Sequence, residues 1–194
     1  MQERKVVKKL RPVRVEVSKE KFITTLVTSY AGIRYHVKMA QHQHKTVRAQ
    51  RDNLKPGKEI TGQMDFAQNW LVGFGEEVQS AFYAKDPITV HPVVLHVNIG
   101  GVVKVFSLCL VTDDRRHDAG AVMAMVDAVV KWVKENLPGV EMIHFWTDSP
   151  TSQYRNISIF SLICRFLERH GIQCTWSYFE AGHGKGPCEY LNMV

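Results

Sequence analysis

Asp65 lies inside an apolar run, Ile60-Thr-Gly-Gln-Met-Asp65-Phe-Ala, and Asp148 closes a second, Met142-Ile-His-Phe-Trp-Thr-Asp148-Ser-Pro. Glu189 follows a glycine-rich turn, His183-Gly-Lys-Gly-Pro-Cys-Glu189, that could open a helix. A carboxylate at the end of a buried strand gains nothing from packing and costs desolvation, so it needs a partner. The partner that suits several converging carboxylates is a hard divalent cation bound through oxygen. That combination is the core of a metal-dependent phosphoryl-transfer site. Each acid also has a plainer use. Asp148 before Ser-Pro suits a turn, and Glu189 suits a helix N-terminus. Asp65, between Met64 and Phe66, has the least convincing alternative. Glu180, at the end of the last strand candidate, competes with Glu189 as third ligand, and Asp118 is either a fourth carboxylate or a helix N-cap.

Other residues could serve the same chemistry. The glycines around His183 and Lys185 let backbone approach a phosphate, with Lys185 adding charge and His183 able to carry a proton. Ser152-Gln-Tyr-Arg155-Asn156 is expected to open a helix after Asp148, so its amides and Arg155 suit a phosphate, or else it is a structural cap. His183, Cys188 and His117 could instead hold zinc, although a single His-x₄-Cys pair lacks the doubled spacing of zinc sites. Trp70, Trp132, Trp146 and Trp176 are expected to pack in the core. No nucleophile elbow, P-loop or dinucleotide fingerprint is present, so no small-molecule organic cofactor is expected.

Elements must bring these residues together. Residues 1–17 alternate basic and apolar side chains and read as an extended arm or edge strand, with Pro12 against a central strand. From Ser18, a plausible N-cap, Phe22, Leu26, Tyr30, Ile33, Val37 and Ala40 recur at helical spacing. The helix should run over 19–53, with a break conceivable near Gly32 and a stop at Lys55-Pro-Gly57. Its apolar stripe either packs on the domain or pairs with a second copy, giving a homodimer. Strands are expected at 60–73, 77–84, 88–97 and 102–112, with Gly100-Gly101 as the turn between the last two. A helix over 118–136, a strand at 140–147, a helix over 152–170, a strand at 172–179 and a short helix near Pro187 complete the order. Runs 102–111 and 140–147 read as inner strands. This is an α/β domain with a mixed central sheet.

The charge is uneven. The 194-residue chain carries a net +6, yet residues 1–58 hold 15 Lys and Arg against 4 Asp and Glu, a balance of +11. The remainder holds 10 against 15, a balance of −5. A basic arm on an acidic body suits a polyanion gripped by the arm and cations held by the body. Lys8, Lys9 and Arg11 on the arm and Lys45, Arg48 and Arg51 on the helix are the residues to contact nucleic acid; a solvated basic tail is the plainer use. His42 and His44 read as a solvated helix face. No apolar run approaches the ~20 residues that span a bilayer. Cys109 and Cys164 sit in apolar stretches as small core thiols, which fits a reducing intracellular compartment.

Element order and acid placement resemble the ribonuclease-H-like fold of DDE/D transposases and integrases. There the first carboxylate lies on the first strand, the second at the end of the fourth and the third on a later helix. The segments Met64-Asp65-Phe-Ala-Gln-Asn69, Thr147-Asp148-Ser-Pro-Thr-Ser-Gln-Tyr154-Arg-Asn156 and Gly182-His183-Gly-Lys-Gly-Pro-Cys188-Glu189 are similar to segments of transposon-encoded proteins of animal genomes. The resemblance covers about residues 59–190. It implies a catalytic domain over 59–194, truncated in its last helix, preceded by the basic arm and long helix read over 1–58. It also implies two Mg²⁺ or Mn²⁺ ions held by Asp65, Asp148 and Glu189, a DNA substrate and a nuclear location. A domesticated, inactive remnant that binds nucleic acid or protein is the competing expectation.

Overall fold

A computed structural model describes residues 14–67, 69–71 and 86–180. The chain divides into two compact units, Met1–Val37 and Lys38–Val194. In the first, residues 14–18 have no regular structure and α1 (Lys19–Asp52) begins, with the Ser18 hydroxyl accepting the Lys21 amide proton at 3.2 Å. The helix is continuous through Gly32, which has open space around it. It crosses into the second unit, so residues 38–52 count with the α/β body.

The body is a five-stranded mixed sheet. Its strands are β1 (Glu59–Met64), β2 (Thr89–Ile99), β3 (Val102–Thr112), β4 (Met142–Thr147) and β5 (Gln173–Tyr178), in the order β3-β2-β1-β4-β5. The first three form an antiparallel meander, and β4 and β5 run parallel to β1. This is ribonuclease-H-like topology. Between β3 and β4 lies α2 (Ala119–Asn136); between β4 and β5 lie α3 (Ile157–Cys164) and α4 (Phe166–His170). The β2–β3 turn needs left-handed backbone at both central positions, which Gly100 (φ 62°) and Gly101 (φ 86°) supply. Asn98 Oδ1 closes it by accepting the Gly101 amide proton at 2.9 Å.

Sheet alternation sorts the two faces. Ile60, Met64, Val93, Leu95, Val97, Ile143 and Phe145 point to the α2 face, where Val122, Val126, Val129, Val130 and Val133 meet them at helical spacing. Full burial of such aliphatic groups contributes roughly 1.5–3 kcal/mol each. The opposite face is more polar and takes the end of α1. Val47 packs with Trp146 and Phe179, Trp146 Nε1 donates to Gln50 Oε1 at 2.6 Å, and Arg51 donates to Gln63 Oε1 at 3.0 Å.

Several expectations change. The strand expected at 60–73 ends at Met64, for a reason that bears on the site. The run 102–111 forms an edge strand, not an inner one, because the chain returns to pair β4 with β1; Val103, Val105 and Val111 are exposed. Cys109 and Cys164 are exposed rather than core, whereas burial pushes the Cys174 thiol up to about 12. The helix expected over 152–170 starts only at Ile157 and is interrupted at Arg165. Trp70 is 60% exposed and joined to Ile88 by an isolated bridge. His44, expected in solvent, stacks on Phe179 with ring centroids 5.3 Å apart. The arm before Arg14, the strand expected at 77–84 and the helix near Pro187 lie outside the described residues.

Candidate active site

Parallel pairing of β1 with β4 sets Glu59 opposite Met142 and Gln63 opposite Trp146. Every pair in that register differs by 83, and so do Asp65 and Asp148. Each aspartate follows the last residue of its strand. Both acids therefore lie just past the C-terminal ends of neighbouring parallel strands, whose axes are about 4.8 Å apart. Alternation gives both the parity of Gln63 and Trp146, the residues that meet α1. Both aspartates are partly buried. Asp65 Oδ1 accepts the Phe66 amide proton and Asp148 Oδ1 the Ser149 amide proton, each at 2.9 Å.

Pro92 explains why β1 stops short. The Asp65 N–H donates to the Pro92 carbonyl at 3.4 Å, but Pro92 has no N–H to return. The ladder resumes only at Ala67, whose N–H donates to Val90 at 2.9 Å. Thus regular pairing loosens at the first aspartate.

The support around the acids is aromatic and histidine-rich, and sequence reasoning did not find it. Phe66 stacks on His117 with centroids 4.3 Å apart and meets the His91 ring edge-on at 4.6 Å. His91 Nε2 pairs with the Tyr154 hydroxyl at 3.0 Å, and the Tyr154 carbonyl accepts the Tyr178 hydroxyl at 2.8 Å. Tyr154 is fully buried, so this chain ties the segment after Asp148 to β2 and β5. Burial, then the charge of nearby His117, pushes the His91 pKa down to about 3, so the ring is neutral at physiological pH. His117 Nε2 contacts Asn69 Oδ1 at 2.7 Å, and Asn69 Oδ1 also accepts from the Thr89 hydroxyl at 3.2 Å. A histidine inside the apolar run Val90–Val97 was the available signal.

Other candidates fall as follows. Asp118 caps α2, its Oδ1 accepting the Ala121 amide proton at 2.9 Å. Asp118→Ala should therefore cost about 1 kcal/mol in urea unfolding while leaving Mn²⁺ binding unchanged; abolished Mn²⁺ binding would make it a ligand instead. Asn156 caps α3, accepting from the Ser158 and Ile159 amides at 3.1 Å, and Arg155 lies exposed over the Tyr178 ring at 5.7 Å. Lys45 and Arg48 are exposed on α1, whereas Arg51 turns inward to Gln63. Glu180 follows β5; its amide N–H donates to Gln43 Oε1 at 2.7 Å. Glu189, His183, Lys185, Cys188, Lys8, Lys9 and Arg11 lie outside the described residues. Among the described residues no group of three His, Cys, Asp or Glu side chains could hold a metal ion, so a centre built on Asp65 and Asp148 needs a donor from elsewhere.

Residues 43–191 match the family described as Domain of unknown function (DUF8701). The chain belongs to that family. This DUF8701 chain matches no curated protein. Among solved structures it is similar to the Mos1 transposase in its paired-end complex with the left transposon end, with a TM-score of 0.39 and 13% identity. That match covers 92% of this chain and 48% of the other, so the DUF8701 chain spans about half of the transposase's length. No described helix is long and apolar enough to cross a membrane.

Proposed function

We propose that this chain is the metal-dependent phosphoryl-transfer core of a DDE-type transposase or nuclease acting on DNA. The reading is supported by the shared offset of 83: Asp65 and Asp148 each directly follow the end of one of two strands that pair in parallel with that same offset. The two carboxylates would hold Mg²⁺ or Mn²⁺, with Glu189 as the third ligand and Glu180 its competitor. Two such ions supply activation of a water or 3′-hydroxyl and stabilisation of the leaving oxygen.

The chain's own groups prepare that chemistry. Hydrogen bonds donated by the Phe66 and Ser149 backbone N–H groups to the Oδ1 atoms orient both carboxylates. The Tyr154–His91 pair holds the segment after Asp148 in place, and neutral His91 brings no positive charge to compete with a cation. Lys45 and Arg48, on the helix that covers the same sheet face, would take backbone phosphates without reading sequence. The basic arm with Lys8, Lys9 and Arg11, together with Arg155 and Lys185, would add to this grip, and His183 would carry a proton.

A supercoiled plasmid incubated with the chain and Mn²⁺ tests the activity. Nicking that chelation abolishes supports the reading, and DNA binding without nicking or Mn²⁺ heat would leave a binding-only remnant. Replacing Lys45 and Arg48 by Ala should lower the slope of log affinity against log salt by about 2, close to one for each phosphate no longer neutralised. An unchanged slope in fluorescence anisotropy titrations would remove them from the interface.

A further inference from the structure

In the first unit, Ile23, Leu26, Tyr30, Ile33 and Val37 follow one another at alternating intervals of three and four residues. This is the 3.5-residue repeat of a coiled-coil seam, with Ile23, Tyr30 and Val37 at a and Leu26 and Ile33 at d. Phe22 and Val27 widen the seam at flanking g and e positions. All seven side chains are 42–62% exposed. Continued along α1, the same register reaches Ala40 and Val47, which are buried at 4% and 3% within the second unit. The helix thus uses one stripe throughout: its later part is satisfied inside the α/β body, and its earlier part presents the same pattern to solvent.

We propose that this seam pairs antiparallel with the same seam of a second copy of the chain. Helix charges select the direction. Glu20 and Arg34 both occupy e positions, each one residue after a d position. Antiparallel pairing centred on residue 28 sets Ile23 against the partner's Ile33 and Leu26 against the partner's Tyr30. It brings Glu20 to the partner's Arg34, and two-fold symmetry repeats that ion pair at the other end. Parallel pairing forms neither. Its flanking contacts would join Phe22 to the partner's Val27 and Ser29 to the partner's Arg34, leaving Glu20 without an opposite charge. Antiparallel pairing also sends the two chains out of the paired segment at opposite ends. The interface does not depend on the chemistry proposed for Asp65 and Asp148.

Sedimentation equilibrium of the whole chain from about 1 to about 200 µM tests this, because a dimer responds to concentration. A monomer–dimer equilibrium is expected that weakens at least about tenfold in the double variant Leu26→Ser, Ile33→Ser, a shift of about 1.4 kcal/mol. Glu20→Arg and Arg34→Glu should each weaken it, and the two together should restore it. Circular dichroism of each variant checks that the helix persists. A monomer at every concentration overturns the proposal, as does a dimer indifferent to positions 26 and 33. Failure of the paired charge reversal to restore association overturns the antiparallel direction.

Discussion

Asp65→Asn and Asp148→Asn should each abolish the heat of Mn²⁺ binding and reduce divalent-dependent DNA cleavage by more than about 100-fold, beyond the usual cost of removing an outer partner of a metal ligand. Asparagine keeps the shape of the side chain and an Oδ1 able to accept the amide protons of Phe66 and Ser149. It removes the negative charge that a hard cation requires. The fold should therefore survive, with a melting temperature close to that of the unaltered chain. The double variant should be little worse than either single one, because members of one ion site act as a unit. Calorimetry in Mn²⁺ and plasmid nicking measure the two effects. Undiminished nicking in either variant would separate these acids from the chemistry, however well the strand register aligns them.

Acid should destabilise this chain before its carboxylates are titrated. The His91 pKa is pushed down to about 3 in the folded state by burial first and by His117 second, against about 6.5 when unfolded. Below pH 6.5 the unfolded chain takes up a proton that the folded chain refuses, so stability falls with pH until about 3 is reached. One such group imposes a slope near 1.4 kcal/mol per pH unit, or about 2 kcal/mol between pH 6.5 and 5. His96, lowered to about 4 by burial and then by Arg51, acts in the same direction, and so do His144 and His170, both lowered chiefly by burial. Urea midpoints at pH 7, 6 and 5 should drop accordingly. His91→Gln should be less stable at pH 7, without the bond to Tyr154, yet its slope below pH 6.5 should be shallower by about one proton. An equal slope in both proteins would mean that His91 is not the group excluded from protonation.

The sequence was most legible where periodicity and punctuation agree. The valine-rich pattern and Asp118 located α2 almost to the residue, and two adjacent glycines announced the β2–β3 turn, because these signals are local. Asp65 and Asp148 stood out because an acid closing an apolar run is costly wherever it lies, and each does follow the last residue of its strand. What stayed hidden depended on distant partners. Nothing in Val102–Thr112 says that it is the outermost of the described strands, since that follows from β4 choosing β1 as neighbour. Pro92 stands in an inner strand, where composition disfavours it, and only its position opposite Asp65 explains why β1 stops there. Tyr154 looked like part of a phosphate-binding turn; its burial against His91 becomes visible only when residues 63 apart in sequence meet.

The pairing of β1 with β4 has one more consequence. Lengthening a loop within the chain that joins these strands leaves their ends side by side as before, because loop length does not set which residues sit opposite. Slipping β4 by one position is a different event. Since side chains alternate across a sheet, such a slip would carry Trp146 off Gln50 and turn Asp148 toward the valine layer of α2. The indole contact with the long helix therefore works as a ratchet tooth: the packing that covers this side of the sheet also fixes which face each residue of β4 presents.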